Sequence, residues 1–145
     1  MKLTLFSDYS LRILMFASLR GDVQLSVTEV AKVYGISKHH TAKAVNFLAQ
    51  RGYLRAQRGR GGGIRLGRET KQISIGQLVR QTETGSPLLE CFDAASNTCP
   101  LIHACLLKQA LGKADAAFFH ASDGYTLTDL VHKPTPLRRA LEINA

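Results

Sequence analysis

The chain has 145 residues, 45% of them apolar and 21% charged, which suits one globular domain or a small domain with an appended helix. No apolar run approaches the roughly eighteen residues of a transmembrane helix, so no membrane partner is expected. The net charge of +8 is uneven: residues 1–71 carry 13 Lys/Arg against 4 Asp/Glu, and residues 72–145 carry 6 against 7. A basic excess confined to one half points to a polyanion, and double-stranded DNA is the expected partner.

Leu11 to Leu19 is apolar enough to resemble a signal-peptide core, but Arg12 interrupts it, Asp8 precedes it and no small-residue cleavage pattern follows. The expected compartment is cytoplasmic, where thiols stay reduced. The first helix is predicted from about Asp8 to Arg20, with Ser7 as N-cap and Gly21 as stop. Ser26-x-x-Glu29 reads as a capping box opening a second helix that ends at Gly35. Ser37 then caps a third, reaching about Arg51, with Thr41, Val45, Leu48 and Ala49 inward and His39, His40, Lys43 and Gln50 outward.

Two short helices, a glycine-containing turn and a polar outer face on the second compose either a helix-turn-helix or a generic helical hairpin. The next segment favours the former. Tyr53–Gln57 and Ile64–Leu66 alternate as strands, and between them lies Arg58-Gly59-Arg60-Gly61-Gly62-Gly63. Arg51 to Arg68 contains six arginines and no acid. A hairpin with a glycine-rich, arginine-bearing tip behind a helix-turn-helix is the wing of a winged helix, where Arg60 can enter a narrow minor groove. The DNA-contact candidates are therefore Ser37, Lys38, His39, His40, Thr41, Lys43, Arg58, Arg60 and Arg65.

Ser74-x-x-Gln77 opens a short helix carrying Ile75, Leu78 and Val79, and Gly85-Ser86-Pro87 breaks the chain after it. A long helix is expected from near Pro100 to about Ala121, with a seam of Leu107, Ala110, Leu111, Ala114, Ala117 and Phe118. Such a seam packs on the chain's own core or on a second copy. Alanines that permit close helix approach, and the two-fold symmetry of operators, favour a homodimer. Thr126-x-x-Asp129 opens a last helical turn, and Lys133 onward, with Pro134 and Pro136, reads as a tail. The predicted fold is mainly α with a small β-hairpin wing: a winged helix-turn-helix domain over 1–72, a connecting helix and loop over 73–99, a dimerisation helix with a short terminal helix over 100–132, and the tail over 133–145.

Cys91, Cys99 and Cys105 are the only three cysteines, separated by seven and five residues. An odd number cannot all pair within one chain, and clustered thiolates suit soft metals and iron–sulfur clusters. The intervals are too wide for a zinc finger. The plainer alternative is three inert thiols, against which Asn97, Thr98 and Pro100 give Cys99 polar loop surroundings. No paired carboxylates or nucleophile–base constellation supports an enzyme, and an electron carrier has no use for a basic wing.

Several stretches make residues 1–132 similar to the iron–sulfur-dependent winged-helix repressors. They are Leu3-Thr4, Asp8-Tyr9 and Leu11-Arg12, then Arg58-Gly59-x-x-Gly62-Gly63-Ile64-Arg65-Leu66-Gly67, then Leu107–Leu111 and Tyr125-Thr126-Leu127-x-Asp129-Leu130-Val131. The wing motif is shared across that family, whereas Asp8 and the later stretches resemble its nitric-oxide-sensing branch. The resemblance implies an iron–sulfur cluster, 4Fe–4S in preference to 2Fe–2S, held by Cys91, Cys99 and Cys105 with Asp8 of the other protomer as fourth ligand. It also implies nitric oxide as the effector that lifts repression. Two departures stand out. A related regulator of cluster biogenesis has a ligating histidine three residues after its last cysteine, where this chain has Lys108, and relatives often have a shorter first interval. The competing expectation keeps the repressor but has the same thiols read oxidation, iron or cluster supply.

Overall fold

The computed structural model describes residues 2–57, 59, 61–85 and 87–143. Helix α1 spans Leu5–Arg20 and begins three residues before the expected start. Thr4, in extended backbone, is the N-cap and its hydroxyl accepts Ser7 N–H at 3.2 Å. Ser7 therefore lies inside the first turn, fully buried. Its side chain resembled a cap because it precedes an acid, but Leu5 and Phe6 are already helical.

Helix α2 (Val27–Tyr34) is capped by Ser26 and α3 (Lys38–Gln50) by Ser37, both as the sequence predicts. Only half of the first capping box forms. Ser26 Oγ accepts Glu29 N–H at 3.0 Å, while the Glu29 carboxylate turns to Arg20 Nη2 at 3.1 Å. An opposite charge within reach outcompetes a neutral backbone donor. Strands β1 (Leu54–Gln57) and β2 (Gly63–Leu66) form the antiparallel wing hairpin, with Leu54 opposite Leu66, Arg55 opposite Arg65, Ala56 opposite Ile64 and Gln57 opposite Gly63. Leu25 bridges Ile64 and ties the wing to the segment after α1.

Helix α4 (Ile75–Thr82) is capped by Ser74, and a 3-10 turn over Glu90–Phe92 interrupts the loop that follows. The long helix, α5, runs Leu106–Asp123, starting six residues after Pro100. Residues Leu101–Ala104 form a turn closed by Ala104 N–H to Leu101 O, and Cys105 is extended (φ −82, ψ 107), so the helix cannot begin before it. A short α6 (Leu127–Leu130) follows, where the Asp129 carboxylate accepts the Thr126 N–H and hydroxyl, each at 2.7 Å.

The expected tail contains a helix, α7 (Pro134–Ala140). Proline at its first position sacrifices no hydrogen bond, since first-turn N–H groups have no helical acceptor. Leu141 and Ile143 pack on the core and Arg138 Nε donates to Leu19 O at 3.1 Å.

The core gathers Ile13, Leu14, Phe16 and Ala17 of α1 with Val30, Ala44, Val45, Leu48, Tyr53, Leu54, Ile64, Ile73, Leu78 and Leu127. Helices α4 and α5 meet at Gly76, where a Cβ would stand 2.8 Å from Asp123 backbone N. Arg80 forks onto both Asp123 oxygens at 2.5 and 2.7 Å beside the Phe119 ring, and this hydrogen bonding holds the Asp123 carboxyl below the ordinary range. Gly76→Ala should force these helices apart and cost about 1–3 kcal/mol, read as a lowered midpoint in thermal denaturation.

Candidate nucleic-acid interface and metal centre

The first turn of α3 carries Lys38, His39 and His40 and no acid. Cations at the positive end of a helix are unfavourable for the helix itself and suited to an arriving anion. Ser37, Lys38, His39, His40 and Lys43 are all exposed, as expected of a reading face. Thr41 is not: it is fully buried and its hydroxyl donates to Ser37 O at 3.0 Å, so it belongs to the inward stripe and its assignment as a DNA contact is corrected. Asn46, exposed one turn beyond Lys43, was overlooked in the sequence because it sits among apolar neighbours. Its amide can pair with an adenine edge.

On the wing, Arg65 is exposed and directly opposite Arg55, also exposed, which sequence reading missed because cross-strand register is invisible before pairing. Arg58 and Arg60 lie outside the described residues. The tip glycines Gly59 and Gly61 have φ of 98° and 77°, a region only glycine enters freely. Two of the six arginines have structural work. Arg51 stacks 3.9 Å over the Phe47 ring, and Arg68 covers Tyr53 while donating to the carbonyls of Gly52 and Arg51.

Asp8 stands in the first turn of α1, and Arg12 grips both of its oxygens at 2.8 Å. The helix start that presents Asp8 is fastened to the end of α4. Glu83 Oε1 accepts Thr4 N–H at 2.8 Å, the Thr4 hydroxyl at 2.9 Å and the buried Ser7 hydroxyl, and Ser7 also meets Thr82 Oγ1 at 2.6 Å. The same first turns rest on α3: Phe6 packs edge-on to Phe47 at 5.0 Å and Tyr9 lies 6.2 Å from His40.

Cys91 sits in the 3-10 turn, Cys99 in the loop beyond it, and Cys105 at the N-cap of α5; all three are free and half-buried. Cys105 Sγ accepts Lys108 N–H at 3.3 Å and so caps the start of α5. Lys108 thus contributes a backbone donor at the position where a related regulator has a histidine. The Glu90 carboxylate accepts the Thr98 hydroxyl and N–H, and these bonds hold its carboxyl below the ordinary range. The structure places the three thiols on one loop; among the described residues, no three His, Cys, Asp or Glu side chains converge as a metal site within one chain. As a donor set, three free thiols beside an N–H-stabilised helix start fit a soft metal or an iron–sulfur cluster.

On α5, Leu107, Ala110, Ala114 and Ala117 are exposed and Leu111 and Phe118 are half-buried; no residue of this eighteen-residue helix is fully buried. Phe118 lines a cavity of about 740 Å³ with Leu3, Leu88 and Phe92, between the chain start and the cysteine loop. Among the described residues no helix is long and apolar enough to cross a membrane.

A family model described as Rrf2, an iron-dependent transcriptional regulator, matches residues 3–133. The chain is 43% identical over 144 residues to the HTH-type transcriptional regulator NsrR of Bacillus subtilis (strain 168), covering 99% of both. It is 43% identical over 143 residues to NsrR of Shouchella clausii (strain KSM-K16), covering 98% of this chain and 96% of that one. Two solved structures share the fold: T. potens IscR, with a TM-score of 0.70 at 20% identity over 91% of this chain and 87% of that one, and CymR (YrzC), the global cysteine regulator of B. subtilis, with 0.70 at 24% over 91% and 97%. The winged helix, the length of the match and these relatives agree that the chain is a transcriptional regulator and not an enzyme, and that it belongs to the Rrf2 family.

Proposed function

We propose that this chain is a cytoplasmic, nitric-oxide-responsive repressor that depends on an iron–sulfur cluster and binds operator DNA as a homodimer. The observation that carries the reading is the joining, in one chain, of a basic winged helix to a loop of three free thiols that ends at the start of an uncovered apolar helix. Cys91, Cys99 and Cys105 would hold the cluster, 4Fe–4S in preference to 2Fe–2S, with Asp8 of the second protomer as fourth ligand. When bound, the cluster supplies iron at which nitric oxide reacts.

The chain's own residues do the rest. Leu107, Ala110, Leu111, Ala114, Ala117 and Phe118 offer the seam for a second copy; Leu107 is 61% exposed and the adjoining Leu106 is 76% exposed in one chain. Asp8 must leave Arg12 to serve the partner's loop. An exposed i,i+4 pair contributes only about 0.3–0.5 kcal/mol, so the exchange costs little. A carboxylate is also the hardest donor of the four, and the one least suited to iron among thiolates. Holding Asp8 fixes the first turns of α1, and through Phe6–Phe47 and Tyr9–His40 these bear on the recognition helix. Releasing Asp8 frees α1 to shift and takes α3 out of register with its half-site, a two-state device biased by the bound group.

On DNA, Ser37, Lys38, His39, His40, Lys43 and Asn46 face the major groove and the wing reaches the minor groove, with Arg58, Arg60 and Arg65 as its cations. Arg55 joins Arg65 as a phosphate contact. Like charges directly opposite across a hairpin are destabilising, and an arriving phosphate relieves them. The description of the matching family as iron-dependent favours a second reading, in which the same thiols report iron supply.

Anaerobic purification should give a brown protein whose operator affinity is abolished by stoichiometric nitric oxide. Affinity unchanged by nitric oxide but lost on iron chelation would select the second reading, and a colourless protein would remove the cluster altogether. Asp8→Ala should shorten the lifetime of the cluster absorbance while Lys108→Ala leaves it intact; the reverse would refute the ligand set. Arg55→Gln should weaken DNA binding evenly across sequences and lower the salt slope by about 0.9. In free protein it should raise hairpin stability by roughly 0.2–1 kcal/mol, so a loss of thermal stability would mark Arg55 as structural.

A further inference from the structure

The loop joining the first two cysteines is closed at its base by a single side chain. Glu90 immediately precedes Cys91 and Thr98 immediately precedes Cys99; Glu90 Oε1 accepts both the N–H and the hydroxyl of Thr98 at 2.8 Å. Within the closure, Asp93 Oδ1 accepts Ala95 N–H at 3.0 Å and Asp93 Oδ2 accepts the Ser96 hydroxyl at 2.8 Å. The Asp93 carbonyl takes Asn97 N–H at 3.1 Å, and Asn97 Oδ1 accepts Cys99 N–H at 3.1 Å. The backbone therefore reverses between the two cysteines, and the residues just before them are held side by side.

Glu90, Asp93, Ser96 and Thr98 are exposed and Asn97 is half-buried, and none of them belongs to the hydrophobic core. What the clamp fixes is the separation of two chain positions eight residues apart. Closing a loop of this length costs entropy, and a bond across its base raises the effective concentration of one end at the other. We propose that Glu90 and Thr98 are positioning residues that bring Cys91 and Cys99 together as a preformed dithiol before any cluster is inserted. The proposal rests on the reading that these cysteines are cluster ligands, but its test needs no cluster.

The test uses the full chain, reduced and cluster-free, carrying Cys105→Ser so that Cys91 and Cys99 are its only thiols. The probe is phenylarsine oxide. Its arsenic–oxygen bond is exchanged for two arsenic–sulfur bonds, both thiol protons leave with the oxygen as water, and no oxidant is required. The Cys105→Ser chain should bind one equivalent. Adding Glu90→Ala should weaken binding on the order of tenfold, because a charge-assisted two-donor clamp is lost. Glu90→Gln, whose amide oxygen can accept the same two donors, should restore most of it, and Thr98→Val, which keeps the N–H, should fall between. Thermal midpoints should stay together across the series. Undiminished binding in Glu90→Ala, an absent one-to-one complex in Cys105→Ser, Glu90→Gln as weak as Glu90→Ala, or affinity that merely follows the thermal midpoint would each overturn the proposal. Failure of the cluster reading is distinguishable, since a colourless anaerobic wild-type protein would leave the arsenical series unchanged.

Discussion

Helix α1 is in contact with α3, α4, β2, α6 and α7, because it buries Ser7, Ser10, Ile13, Leu14, Phe16, Ala17 and Leu19 around most of its circumference. Two serines in that set can be buried only because each has a partner: Ser7 reaches Thr82 and Glu83, and Ser10 donates to Phe6 O at 2.7 Å. A helix enclosed in this way cannot shift without disturbing what rests on it. Asp8, half-buried in its first turn, is therefore a place where an outside ligand could act on the whole DNA-binding unit.

The two halves of the chain solve different physical problems. The N-terminal half has a closed core and leaves its charge outside, at the start of α3 and along the wing, where cations face an expected polyanion rather than their own acids. Among the described residues, the C-terminal half has little closed core beyond Ile73, Leu78, Val79 and Leu127. Helix α5 is anchored to α4 by Gly76, Arg80 and Asp123, while Leu106, Leu107 and its alanines remain exposed. A helix of this composition is stable when another surface covers it, and the proposed second copy would do so while bringing the donor missing from the single chain.

The cysteine loop shows how polar side chains can order a segment with no buried core and only one short 3-10 turn. Glu90, Asp93 and Asn97 each satisfy backbone or hydroxyl donors at short range, and Cys105 ends the loop by acting as a helix cap. Order of this kind leaves the three cysteines half-buried rather than enclosed.

The local signals were legible in the sequence by itself: Ser26, Ser37 and Ser74 as caps, the two strands around a glycine-rich tip, the basic first half, the three unpaired thiols and the apolar seam. Each depends on neighbours a few residues apart, so spacing alone carries it. What only the tertiary structure decided depends on distant partners. Thr4 replaced Ser7 as the cap because Glu83 and Thr82 draw Ser7 inward. Cys105 became the helix start because the preceding turn leaves it extended. The supposed tail became α7 because Leu141 and Ile143 found the core beside α1. Arg55 was recognisable as a partner of Arg65 only once strand register was set, and Thr41 as a core residue only once its hydroxyl had a carbonyl to bond. Residue types determined what chemistry the chain could offer, and long-range packing decided which side chains were left free to offer it.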